Sequence, residues 1–204
     1  MTNEKKAAIS TGYTMFPTMI LLVTTTVLAY IMQAYPTVAP STVALLMTIP
    51  SLVSTAVSFL VGFIANRVSH RLIVTFGMVC MFACGIIMYF GGGTAPFSLL
   101  IMGVVLLGIG MGCNSVMTGT IVSLHMPREK IGSQMGINNS IRNVGSMLLT
   151  AVAGVLAVSR WQNAYLVYLV FIPIIIVAAT LTPEMPEEAR QAAASRSGEQ
   201  KEKA

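Results

Sequence analysis

Between Met15 and Leu181 the chain is divided into apolar runs of roughly the length needed to cross a bilayer, and this division constrains the fold more than any other feature. With a bilayer-crossing helix of about 20 residues as the measure, six segments emerge: about 14–35, 42–65, 72–90, 98–121, 135–158 and 164–181. Clusters of turn-forming and helix-breaking residues separate them: "AYPTVAPS", "GGGTAPF", "HMPREK" and "SRWQN". No segment shows the ten-residue alternation of a membrane barrel. In lipid each span must satisfy its own backbone polar groups, so the six are read as α-helices. Composition agrees: 55% hydrophobic and 9% charged residues do not suit a water-soluble domain. The expected fold is an all-α transmembrane bundle of six helices over residues 14–181. A cytoplasmic segment 1–13 precedes it, and a charged, unstructured tail 182–204 follows.

Charge sets the expected orientation. An even number of spans places both termini on one side, and ten of the twelve basic residues fall there: Lys5, Lys6, Arg67, Arg71, Arg128, Lys130, Arg190, Arg196, Lys201 and Lys203. Short cytoplasmic loops collect Lys and Arg, so both termini are expected in the cytoplasm. Only Arg160 lies on the opposite side, while Arg142 falls inside the fifth segment. A bacterial-type plasma membrane is the expected location.

Enzymatic chemistry finds little footing. No zinc-protease helix, phosphate-cradling loop or nucleophile with a base is present, so neither a cofactor nor a metal is expected. Cys80, Cys84 and Cys113 read as small apolar residues within spans. Trp161 and Tyr165, at the start of the sixth segment, suit the aromatic belt of a membrane interface.

Several features occur in an order that marks a family. "GFIANRVSHR" lies between spans two and three, and "GIGMG" (Gly108, Gly110, Gly112) lies in span four. "MPREKIGSQMGINNSIRNVG" leads into span five, "RWQNAYLVYL" opens span six, and "TPE" closes it. In this combination the chain resembles the amino-terminal half of a major facilitator superfamily transporter over about residues 15–186. Gly62, Arg67 and Arg71 match that family's loop between spans two and three, whereas Asn66 stands where the family usually has Asp. The resemblance implies a bundle that pairs with a second six-helix bundle around a central cavity and rocks between inward-open and outward-open states. It also implies a gating role for Gly62, Asn66, Arg67 and Arg71, besides their role in orientation.

The family's first and fourth spans line the cavity. Here they offer Thr26, Tyr30 and Gln33 on one helix face, and Asn114 and Thr118 on another, as candidate solute contacts. Hydrogen bonding between helices is the alternative for the same residues. Two stripes of small residues, Ser51, Thr55, Ser58, Gly62 and Ser146, Thr150, Gly154, allow close helix approach. They serve either packing within the bundle or contact with a second bundle. In the family, spans two and five face the other half, which favours the second use.

All seven Glu lie near the chain ends or in loops and Asp is absent, so proton coupling through a membrane carboxylate has no support. Val104 occupies the place where the family's drug–proton antiporters carry Arg, and Leu149 and Thr150 replace their glycine–proline pair. Arg142, beside Asn139 and Asn143, is either a snorkelling anchor or a contact for a helix end or an anionic solute. The expected function is a half-size transporter for a small organic solute or drug. Its expected partners are the lipid bilayer and a second bundle, supplied by another copy or a separately encoded half, and nucleic acid is not expected. A non-transporting membrane subunit and the severed first half of a twelve-helix transporter are the alternatives.

Overall fold

The computed structural model describes residues 3–65, 68–92 and 96–183. Its helices run in chain order α1 (Asn3–Met15), α2 (Leu21–Ala34), α3 (Pro40–Ile64), α4 (His70–Gly91), α5 (Phe97–His125), α6 (Arg128–Ala157), a 3-10 segment Trp161–Val170, and α7 (Phe171–Leu181). Four of these α-helices, and the 3-10 segment joined to α7, are long and apolar enough to cross a membrane. By itself α2 is short: 14 residues rise about 21 Å, against a hydrocarbon core of about 30 Å. The remainder of the first crossing comes from α1 and the turn at 16–20.

That turn has a local cause. Pro17 has no N–H to donate to the Tyr13 carbonyl, so the α-helical ladder is interrupted there. Through the break the backbone bonds shorten to i→i−3, with Thr18 N–H on Met15 O and Ile20 N–H on Pro17 O, both 3.1 Å. The hydroxyls of Thr11, Thr14 and Thr18 donate to carbonyls four residues back, a pattern that bends helices. Contrary to the expected start at 14, the helix begins at Asn3, and Ala7, Ser10, Thr11 and Thr14 are buried. Small and hydroxyl-bearing residues let α1 pack inside the bundle although its average hydropathy is low.

The centre of the bundle is α5. Successive residues on a helix are rotated by about 100°, so Gly108 and Gly110 point to opposite sides of it. On one side a Cβ at Gly108 would lie 2.7 Å from Pro50 O, and one at Gly112 the same distance from Ser54 O, because α3 lies directly against them. On the other side Gly110 faces Gly77 of α4, where a Cβ on Gly77 would sit 3.1 Å from Gly110 O. The "GIGMG" motif thus seats a helix on each face. Here a residue with a side chain would force backbones apart.

The sixth crossing differs from expectation in its first half, which is 3-10 rather than α-helical. In a 3-10 helix residues three apart eclipse, so Tyr165, Tyr168 and Phe171 form one row. Their ring centroids lie 5.7 Å apart in sequence, with Trp161 6.3 Å from Tyr165. Tyr165 is 2% exposed, which corrects the belt reading: the row packs into the core, and its hydroxyl reaches Thr24 at 3.5 Å. Gly85 of α4 leaves the space that Tyr168 fills.

Helix α6 starts at Arg128, about two turns before the expected apolar boundary. Its polar first turns carry Glu129 at the favourable amino end and add length that a core of about 30 Å does not require.

Candidate functional site

The charged loop between α3 and α4 is the first candidate. Its Asn66 and Arg67 lie outside the described residues. Gly62 is exposed, with open space around it. Arg71 ties two helices together, since its Nε and Nη2 donate to the Thr182 carbonyl at 3.3 and 3.2 Å. Thr182 caps the carboxyl end of α7, where orphan carbonyls favour a cation. The Ser10 and Thr182 hydroxyls lie 2.9 Å apart, so α1, α4 and α7 meet at this end. Beside them His70, the first residue of α4, is fully buried. Arg71 therefore fastens α4 to the end of α7 within this bundle.

The candidate cavity residues separate into two groups. On α2, Tyr30 is 45% exposed and Gln33 is also exposed, while Thr26 is half-buried with its hydroxyl on Leu22 O. On α5, Asn114 and Thr118 are buried instead. Asn114 Nδ2 donates to Gly110 O at 2.9 Å, and Thr118 Oγ1 to Asn114 O at 2.9 Å. Asn114 also lies against Gly77, within the α4–α5 seam. The structure thus leaves Tyr30 and Gln33 on an open face and uses Asn114 and Thr118 between helices.

The small-residue stripes separate in the same way. On α3, Ser51, Thr55 and Gly62 are exposed and Ser58 is half-buried. On α6, Ser146 is 8% exposed, Thr150 and Gly154 are half-buried, and the Thr150 hydroxyl is enclosed. A Cβ at Gly154 would lie 3.7 Å from Thr26 Cγ2, which places this end of the stripe toward α2. Small residues allow close approach wherever helices meet, and here they serve the bundle's own interior. The open side of α6 carries Val144, Met147, Ala151 and Val155.

Helical spacing reveals a polar column that adjacency in sequence obscures. Asn139 and Asn143, the neighbours of Arg142, are exposed; Asn138, four residues before it, is 2% exposed. Asn138 Oδ1 accepts from Gln134 Nε2 at 3.0 Å and from Thr11 Oγ1 at 3.5 Å. Continuing by fours, Asn138, Arg142, Ser146 and Thr150 follow one slowly drifting side of α6. Three atoms of this column are buried without a hydrogen-bond partner: Asn138 Nδ2, Arg142 Nε and Thr150 Oγ1. A native fold leaves few such groups, each costing about 1–3 kcal/mol, so three on one side of one helix call for water or a ligand.

Depth bears on Arg142. It stands about halfway along a helix of 30 residues, but if the last 20 of these fill the hydrocarbon core, it lies about one turn inside the boundary. From there the guanidinium reaches either the interface or the bundle interior. Among the described residues no group of three His, Cys, Asp or Glu side chains could hold a metal ion.

Long apolar helices, a charged end fastened by Arg71 and an interior polar column define a polytopic helical membrane protein. The model of the Major Facilitator Superfamily matches residues 8–203, nearly the whole chain. The chain belongs to this superfamily, whose members are membrane transporters. No curated protein matches it.

Proposed function

We propose that the protein is a half-size transporter that pairs with a second bundle and moves a small organic solute by alternating access. The observation that carries this reading is the open face of α3. It is the least buried of the membrane-crossing helices, with 17% of its most apolar window enclosed, and it presents Ser51 and Thr55 beside Leu52 and Phe59. Serine and threonine on an otherwise apolar helix suit close contact with another helix. The exposed Tyr30 and Gln33 on α2 supply neutral hydrogen-bonding groups for a solute held between the two bundles.

The polar column supports a solute with an anionic or acceptor-rich group, because Asn138 Nδ2 and Arg142 Nε are both donors lacking partners. Uptake into proteoliposomes tests this, with monocarboxylates compared against uncharged analogues of the same size. Arg142→Gln should lose most of the preference for the anion, by about tenfold or more for a charge-assisted bond. Arg142→Lys should retain part of it. Equal transport by both variants would exclude Arg142 from solute recognition.

A further inference from the structure

A large cleft opens beside the polar column, which it meets at Gln134. It occupies about 610 Å³ between α1, α6, the 3-10 segment and α7, and is walled by Ile9, Phe16, Ile137, Ile141, Pro173 and Ile174 among others. Its size falls within the range of ligand pockets, about 300–1,000 Å³. Gln134 is its main polar side chain apart from the Tyr13 hydroxyl.

At the amino-terminal end of α1 and α6 a second cavity, about 390 Å³, adjoins it and shares Ala8, Gln134 and Ile137. The two form one groove. Its chemistry changes along its length, because the second cavity is lined by Glu4, Lys5, Lys130 and Ser133. Lys130 Nζ binds Glu4 Oε1 at 2.7 Å, with the lysine side chain 63% and the glutamate 40% exposed. Lys5 is exposed beside them.

We propose that this groove binds one anionic phospholipid, with an acyl chain in the cleft and the phosphate between Lys5 and Lys130. Three observations converge on that occupant. The cleft is apolar and opens among membrane-crossing helices, so its filler comes from the bilayer. The polar end carries two cations against one carboxylate, an excess that suits a phosphate. The basic and apolar parts are continuous, as the head and tail of one amphiphile require. Surface lysines at a membrane each favour an anionic lipid by about a factor of five. Bound there, the lipid would hold α1 against α6, a role independent of solute transport.

Native mass spectrometry of the full chain released from detergent tests the proposal, with palmitoyl-oleoyl phosphatidylglycerol and phosphatidylcholine as probes. One phosphatidylglycerol per chain should be retained in preference to phosphatidylcholine. Lys5→Gln with Lys130→Gln should weaken retention at least tenfold, whereas Glu4→Gln, by removing the competing carboxylate, should strengthen it. Ile137→Trp, which obstructs the junction of the two cavities without altering charge, should weaken retention. Equal retention of both lipids, insensitive to these variants, would mean annular lipid only and would overturn the proposal. So would loss with the lysine variants but not with Ile137→Trp, which would reduce the site to a phosphate contact. A second copy of the chain displacing the lipid from the groove would also overturn it. Helix content checked by circular dichroism separates a misfolded variant from a non-binding one, and the Glu4→Gln gain cannot arise from misfolding.

Discussion

Replacing Gly108 and Gly112 together by Ala probes the packing of α5 most sharply. Each new Cβ would lie 2.7 Å from a backbone carbonyl of α3, about 0.7 Å closer than ordinary contact begins. Neither obstacle is a flexible side-chain end, so α3 must move as a body. Overpacking of this kind costs about 1–3 kcal/mol per site, and Gly→Ala returns about 1 kcal/mol of helix propensity. One displacement of α3 relieves both overlaps, so the costs are less than additive, and the double variant should lose about 1–3 kcal/mol. Gly132 and Gly136 provide an internal control. They share the four-residue spacing, lie on α6 and have open space where a Cβ would point. Their double Ala variant should gain about 2 kcal/mol, about 1 kcal/mol at each site. Unfolding in mixed lipid–detergent micelles, followed by far-ultraviolet circular dichroism, compares the two. Equal stability of the pairs would refute the inference that α3 and α5 meet backbone to backbone.

Two further outcomes follow from the charged end of the bundle. Arg71→Ala removes two bonds to the Thr182 carbonyl and should cost about 1–3 kcal/mol, with Arg71→Gln recovering part, measured as loss of thermal stability in detergent. A cysteine at Ser69, which is exposed, should react with a membrane-impermeant thiol reagent from the cytoplasmic side only, and one at Thr94 from the outside only; reversed labelling would invert the orientation.

Much of the fold is legible in the sequence because length and apolarity in lipid leave few choices. The segments 42–65, 72–90 and 98–121 coincide closely with α3, α4 and α5. The first segment begins earlier than its hydropathy indicates because α1 packs through Ala7, Ser10, Thr11 and Thr14, and hydropathy cannot detect helices that meet through small polar residues. Residue type alone places Tyr165 at the interface, but only the 3-10 register of Tyr165, Tyr168 and Phe171 shows that the row turns inward. The α6 stripe poses a different difficulty. Small residues at helical spacing signal a close contact without naming the partner; here Gly154 faces Thr26 of α2. Asn138 is legible as Arg142 minus four, but the adjacent Asn139 and Asn143 are the more conspicuous neighbours in sequence and mask it. The groove between α1 and α6 joins residues more than a hundred positions apart, and no local pattern announces it.

The central claim is that a single bundle is not the working unit. It is tested most directly by the mass of the particle held in lipid nanodiscs, measured with transport by the same preparation and with cysteine cross-linking. The exposed faces place the cysteines at Thr55 on α3 and Met147 on α6, rather than at the interior Thr150. Active preparations should contain two bundles, either two copies or one copy with a separately encoded half, and cross-links from Thr55 or Met147 should join them. A particle holding one chain alone that transports at the full rate would contradict the claim.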